Sequence, residues 1–245
     1  MGYIIALSGK GGTGKTTIAA LLVRILKERK SGSILAIDAD PNSNLGQALG
    51  IEEGKTIGSL LEEISSHPEK IPAGTSKENF IEYQIHTAIS EEEGFDLLTM
   101  GRPEGPGCYC YVNNLLRNMM GKLVAEYDYV IMDNEAGLEH FSRRTTRHAD
   151  SLIILANPNA VSMKAAARVN ELVKELKVKT KKILLLLNCA DENIILKNTT
   201  GMQIAGYIPQ DAELIKIGIN ASCVFSLENN SQALTALKQI TDKII

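Results

Sequence analysis

The stretch Gly9-Lys10-Gly11-Gly12-Thr13-Gly14-Lys15-Thr16-Thr17 packs glycines, lysines and hydroxyls into one short run. The run follows an apolar segment, Tyr3 to Leu7, and opens a helical pattern with Ile18, Leu21, Leu22 and Ile25 at helical spacing. It fits G-x-x-x-x-G-K-[ST]. The glycines let successive backbone N–H groups converge on phosphate oxygens, Lys15 neutralises charge on the β/γ end, and Thr16 offers a hydroxyl to Mg2+. Gly9, Gly11 and Gly14 also spell G-x-G-x-x-G, and Asp38 stands where a nicotinamide enzyme places its ribose-binding acid. A dinucleotide has no use for Lys15 and Thr16 directly after the last glycine, nor for Lys10 inside the loop. The two lysines therefore favour a nucleoside triphosphate.

A second constellation is Gly105-Pro106-Gly107-Cys108-Tyr109-Cys110-Tyr111-Val112-Asn113-Asn114. It puts two thiols two residues apart in a chain with four cysteines. In an extended segment residues i and i+2 face one side, so Cys108 and Cys110 can converge on one point. A helical pattern follows, and a helix N-terminus lowers thiol pKa. Two thiolates are too few for a closed four-ligand site, but a two-fold dimer supplies the other pair and builds an intersubunit centre of four thiolates. Thiolate softness admits Ni2+, Zn2+ or an Fe–S cluster. Cys189 and Cys223, isolated at the edges of apolar segments, read as small buried hydrophobes. Arg143, Arg144, Arg147 and His148 read as a solvated basic helix face, and His67, His86 and His140 lack ligand spacing.

These groups need a scaffold. The chain has 245 residues, 44% of them hydrophobic, enough for one core and a single domain over residues 1–245. Its net charge of -3 gives no electrostatic footprint for nucleic acid or an anionic membrane. No apolar run approaches the ~20 residues that span a bilayer, and the first residues lack a signal-peptide pattern, so a cytoplasmic location is expected. Mostly unbroken apolar runs at Tyr3–Leu7, Ile34–Asp38, Asp96–Thr99, Tyr129–Asp133, Leu152–Ala156, Ile183–Leu187 and Gln203–Ile208 predict buried strands. Helical stripes separate them, among them Val161, Ala165, Val169, Leu172 and Leu176. The expected fold is a doubly wound α/β domain, its mainly parallel sheet covered by helices on both faces. Residues 56–93 read as a helical excursion whose acidic end, Glu91-Glu92-Glu93, is a solvated helix terminus. The stripe Leu234, Leu237, Ile240, Ile244 and Ile245 reads as core packing rather than a membrane anchor.

GKGGTGKT, with Lys10 inside the loop, resembles the deviant Walker A motif of the MinD/ParA/nitrogenase iron protein class of P-loop ATPases. Ile37 to Leu45, with Asp38 and Asp40, is similar to the first switch of that class. Val130 to Gly137, with Asp133, is similar to the second, so the resemblance covers nearly the whole chain. ATP hydrolysis is mainly positioning plus charge stabilisation, and the residues divide accordingly. Thr16, with Asp38 and Asp133 in support, serves Mg2+; Asp40 orients the attacking water; the Gly137 N–H senses the γ-phosphate. The bland alternative for the acids is helix capping or turn formation, as in Asp40-Pro41-Asn42. The resemblance implies that Lys10 reaches across a nucleotide-dependent homodimer to the partner's ATP. It further implies that Asn188 and the loop around Pro209 contact adenine, although Asn188 also suits a turn.

CYCYVNN, and Asp133-Asn134-Glu135-Ala136-Gly137 in place of the usual Asp-x-Pro-x-Gly, resemble the nickel-insertion ATPases that mature carbon monoxide dehydrogenase. That likeness implies an ATPase that loads Ni2+ (or holds Zn2+) at the Cys108/Cys110 site and takes the apo-dehydrogenase as partner. The nitrogenase iron protein draws a second cluster ligand from beyond the second switch, where residues 133–148 here contain no cysteine. An Fe–S scaffold or carrier ATPase, or a redox ATPase, would use the same thiols and is the competing expectation.

Overall fold

Seven of the apolar runs become strands of one eight-stranded sheet, most of them a little longer than the sequence suggests. The computed structural model describes residues 2–52, 54–101, 110–135, 148–191, 193 and 201–245, with the backbone alone over 110–117. The strands are β1 (Tyr3–Gly9), β2 (Ile34–Ala39), β3 (Ile89–Glu92), β4 (Phe95–Thr99), β5 (Tyr129–Asn134), β6 (His148–Ala156), β7 (Lys179–Asn188) and β8 (Gln203–Ile208). Their order is β3-β4-β2-β5-β1-β6-β7-β8. Every neighbouring pair is parallel except β3 with β4.

Alternate residues of each strand enter opposite layers, as a sheet buried on both faces requires. Ile5 and Leu7 of β1 join the layer built by α1 (Lys15–Glu28), α2 (Leu45–Leu49) and α8 (Gln232–Ile244). Ile4 and Ala6 join the other, built by α3 (Ile57–Ser66), α4 (Lys77–Thr87), α5 (Cys110–Ala125) and α6 (Ala160–Glu175). A short helix, α7 (Ala212–Ile219), follows β8. The stripe Leu234, Leu237, Ile240 and Ile244 is buried in the core. Among the described residues no helix is long and apolar enough to cross a membrane.

Three expectations change. The acidic run is not a helix end: Glu91 and Glu92 lie in β3, which turns back through Glu93-Gly94 to pair with β4, Glu91 opposite Asp96 and Glu92 opposite Phe95. Gly94 sits at φ 83, the left-handed value that lets a two-residue turn close. Exposed glutamates on this edge strand repel a further strand. The α6 stripe is out of phase. Met163, Ala166, Val169 and Val173 are buried, whereas Val161 is 62% exposed and Leu176 41%. The Asn159 side chain caps α6 by accepting from the Ser162 N–H at 2.9 Å, and this fixes where the helix starts. The third change concerns two cysteines. Cys189 is exposed at φ 54 in the turn after β7, and Cys223 is half-buried, so neither is a core residue.

Candidate functional site

The strands β2, β5, β1 and β7 all end at one edge of the sheet, and the chemistry-bearing residues collect there, where parallel α/β sheets place ligands. The phosphate loop leaves β1 at Gly9 and enters α1 at Lys15. Gly9, Gly12 and Gly14 have φ of 148, 78 and 91. Side chains at two of them would collide. A Cβ on Gly9 would lie 2.4 Å from the Leu155 carbonyl oxygen, and one on Gly14 2.4 Å from Asn188 Nδ2. A Cβ on Gly11 or Gly12 would meet nothing within 4 Å, so this part of the loop presents bare backbone outward, as a phosphate cradle requires. The Lys10 carbonyl braces the loop from below, accepting from Thr13 Oγ1 at 2.8 Å and from Lys15 Nζ at 3.5 Å. Lys15 is buried while Lys10 is exposed.

Asp38 and Asp133 face each other in register on β2 and β5. Thr16 Oγ1 donates to Asp133 Oδ2 at 2.5 Å, whereas Asp133 Oδ1 is buried with no hydrogen-bond partner. Burial pushes the Asp133 carboxyl up to about 6, against the pull of the Thr16 hydroxyl and the Lys15 ammonium. Asp38 goes to about 7, chiefly by burial, with the charge of Asp133 adding to it. The Asp38 oxygens accept from the backbone N–H groups of Asp40 (3.1 Å) and Leu45 (2.8 Å). The carboxylate therefore shapes the loop into α2 as well as facing Asp133. Asp40 Oδ1 accepts from both the backbone N–H and the side-chain amide of Asn42 at 2.9 Å, which closes the Asp40-Pro41-Asn42 turn. An orphaned carboxylate oxygen beside a hydroxyl is a hard oxygen donor pair, so Thr16 and Asp133 fit Mg2+.

At the other end, Asn188 Nδ2 donates to the Thr13 carbonyl at 2.8 Å, tying β7 to the phosphate loop. That bond uses one of the two amide N–H donors and leaves the other N–H and the amide oxygen as the groups available to a base. The Ala190 N–H donates to the Ile208 carbonyl at 2.9 Å, which brings the Asn188 loop beside Pro209. A cavity of about 270 Å3 opens beside the start of α1, lined by Thr16, Thr17, Asn44, Gln47, Leu214 and Ile217. The α2 and α7 residues of this wall are not legible as site residues in the sequence. Their one signal is the apolar pair Leu214 and Ile217, spaced for one helix face.

Cys108, Gly137, Arg143, Arg144, Arg147 and His140 lie outside the described residues. Cys110 is the first residue of α5, so the extended segment expected for the thiol pair ends before it. His148 begins β6 rather than extending a basic helix face, 3.5 Å from Asp150. Among the described residues no cluster of three His, Cys, Asp or Glu could hold a metal ion.

A sequence profile described as an AAA domain matches residues 2–186. The chain is 39% identical to an uncharacterized ATP-binding protein of Methanocaldococcus jannaschii, covering 99% of this chain and 98% of that one. It is 30% identical to the carbon monoxide dehydrogenase accessory protein CooC of Rhodospirillum rubrum, over 86% and 84% of the two chains. Its fold superposes on the septum site-determining protein MinD of Pyrococcus horikoshii, solved with Mg-ADP, with a TM-score of 0.72. That match has 20% identity and covers 100% of this chain and 96% of the other. With the phosphate loop, the paired acids and the sheet in place, the chain belongs to the AAA-domain family and is a P-loop ATPase.

Proposed function

We propose that this ATPase is a metal-delivery factor: it binds Ni2+ through Cys108 and Cys110 at a homodimer axis, Zn2+ being the alternative occupant. It uses ATP hydrolysis to assist nickel insertion into the Ni-Fe-S centre of carbon monoxide dehydrogenase. The observation that carries the reading is the path from thiols to acid. Helix α5 starts at Cys110, ends at Ala125, and feeds directly into β5, which ends on Asp133 and Asn134. Met119, Met120, Leu123 and Val124 lock α5 onto the sheet, so a displacement at Asp133 is transmitted to the helix start by close packing. The Cys-x-Cys sequence and the similarity to the accessory protein CooC support the metal and the client.

The residues divide the work. Glycine-loop N–H groups and Lys15 bind the phosphates, with Gly9, Gly11, Gly12, Thr13, Gly14 and Thr17 forming the cradle. Thr16, Asp133 and Asp38 would hold Mg2+, which when bound offsets charge on the β- and γ-phosphates. Asp40 orients the attacking water, and the Gly137 N–H reports the γ-phosphate. Lys10 is exposed and acts on the partner's nucleotide. Asn188 and the Pro209 loop take the adenine. ATP favours the closed dimer and metal favours one arrangement of the thiols, so each ligand biases the other's affinity.

The test is metal content and oligomeric state of the wild type and of Cys108→Ser/Cys110→Ser, with and without ATP and added Ni2+. The wild type should bind one Ni2+ per dimer and the double variant none. Stoichiometric Ni2+ binding by the double variant would overturn the proposal. Iron and sulfide in anaerobically purified protein would replace it with an Fe–S carrier.

A further inference from the structure

The nucleoside end of the site is held by a residue with no part in the proposed chemistry. Asp211, two residues after Pro209 and 9% exposed, divides its carboxylate between two helices. Its Oδ1 accepts from the N–H groups of Glu213 (2.9 Å) and Leu214 (3.2 Å), the first turn of α7. Its Oδ2 accepts from Ser231 Oγ (2.7 Å) and the Ala233 N–H (3.1 Å), at the start of α8. Ser231 Oγ in turn accepts from the Leu234 N–H at 3.1 Å, so one chain of bonds caps both helices.

What lies between those caps is poorly anchored by packing. No residue of α7 is buried, and Ile215 and Ile219 are 45% and 78% exposed. The turn Val224–Ser226 beyond α7 is pinned by Arg24, whose guanidinium donates to the carbonyls of Val224 and Leu227, both at 2.7 Å. Helix α7 is therefore held by the Asp211 cap at its start and by Leu214 and Ile217, which pack against the core and also line the cavity beside Thr16 and Thr17. With only those two half-buried side chains to pack it, the start of α7 and Pro209 just before it are set chiefly by the Asp211 carboxylate.

We infer that Asp211 is a positioning residue for nucleotide recognition: by capping α7 and α8 together it sets the Pro209 loop and the Leu214 wall against the nucleoside. This rests on the reading that Asn188 and the Pro209 loop meet the base. Polyphosphate binding at the glycine loop should be indifferent to Asp211, because no bond from Asp211 reaches residues 9–17.

Calorimetric titration with Mg-ATP and with Mg-tripolyphosphate separates the two ends of the site. In Asp211→Ala the affinity for ATP should fall on the order of ten-fold while that for tripolyphosphate holds, since small misplacement of a binding wall acts only on the part it touches. KM for ATP should rise with kcat unchanged. Asp211→Asn keeps one acceptor oxygen and should recover part of the loss. Ser231→Ala, which removes one donor to Oδ2, should give a smaller shift in the same direction and serves if Asp211→Ala does not fold. A fall in thermal stability with an unchanged ratio of ATP to tripolyphosphate affinity would reduce Asp211 to a structural cap and overturn the inference. If Asn188→Ala and Pro209→Ala alter that ratio while Asp211→Ala does not, the base site stands and the inference alone fails; if Asn188→Ala and Pro209→Ala leave it unchanged, the assignment of the base to those loops fails and the inference falls with it.

Discussion

Asp133 accepts one hydrogen bond, from Thr16, while its other oxygen is buried without a partner. Asp38 faces it across the β2–β5 ladder. Both carboxyls are raised, to about 6 and about 7 from a reference of 3.8. A raised acid binds its proton more tightly in the folded chain, so its contribution to stability declines as pH rises from near 4 toward the folded value and is flat above it. Without Mg2+, lowering the pH from 8 to 6 should therefore stabilise the protein by about 2 kcal/mol, a rise of several degrees in Tm by scanning calorimetry. Asp133→Asn removes one buried charge. Its Mg-free Tm at pH 8 should exceed the wild type by several degrees while ATP turnover falls to background. A lower Tm would mean that Asp133 is stabilising as an anion. Gly14→Ala tests the neighbouring contact: at φ 91 and with Asn188 Nδ2 2.4 Å from the new Cβ, it should cost about 1–3 kcal/mol in urea unfolding and weaken ATP binding. The glycines and Lys15 are legible from sequence because the loop motif is local. The Asn188 contact to Thr13 is not, since it joins residues 175 positions apart.

Elements show a similar division. Unbroken apolar runs mark strands buried on both faces wherever they fall, which is why seven of the strands can be placed from sequence. Strand β3 escapes because two of its four residues are glutamates and only its pairing to β4 makes it a strand. The phase of α6 escapes because Val161 and Leu176 extend the apolar stripe at both ends into solvent, while the sheet below accepts Met163 and Ala166. Met163→Ala should cost about 2 kcal/mol or more and Val161→Ala almost nothing; equal costs would refute this phase. Arg24 ties α1 to the turn around Val224–Ser226 and the residues just after it through three side-chain hydrogen bonds, to the buried carbonyls of Val224 and Leu227 and to Asn229 Oδ1. Arg24→Met, which keeps the apolar stem, should cost about 2–4 kcal/mol and release that turn first in hydrogen exchange.

Across the whole molecule, the exposed Lys10 is the residue on which the proposed two-chain site turns, and a mixing experiment decides whether it serves its own chain or a partner. Lys10→Ala and Lys15→Ala should each be inactive alone. Mixed in equal amounts they should recover about a quarter of wild-type ATPase activity, because half of the dimers are mixed and one of their two sites is intact. No recovery on mixing would place Lys10 in its own chain's site. The sequence by itself determined the phosphate loop, the parallel α/β sheet and the position of the acids at strand ends, because each is written in spacing shorter than one β-α unit. Only the tertiary structure decided which oxygen of Asp133 goes unpaired, that Asn188 grips the phosphate loop, and that Asp211 caps two helices at once. Those depend on strands β5, β1 and β7 and helices α7 and α8 meeting at one sheet edge, and the partners that settle them lie far apart along the chain.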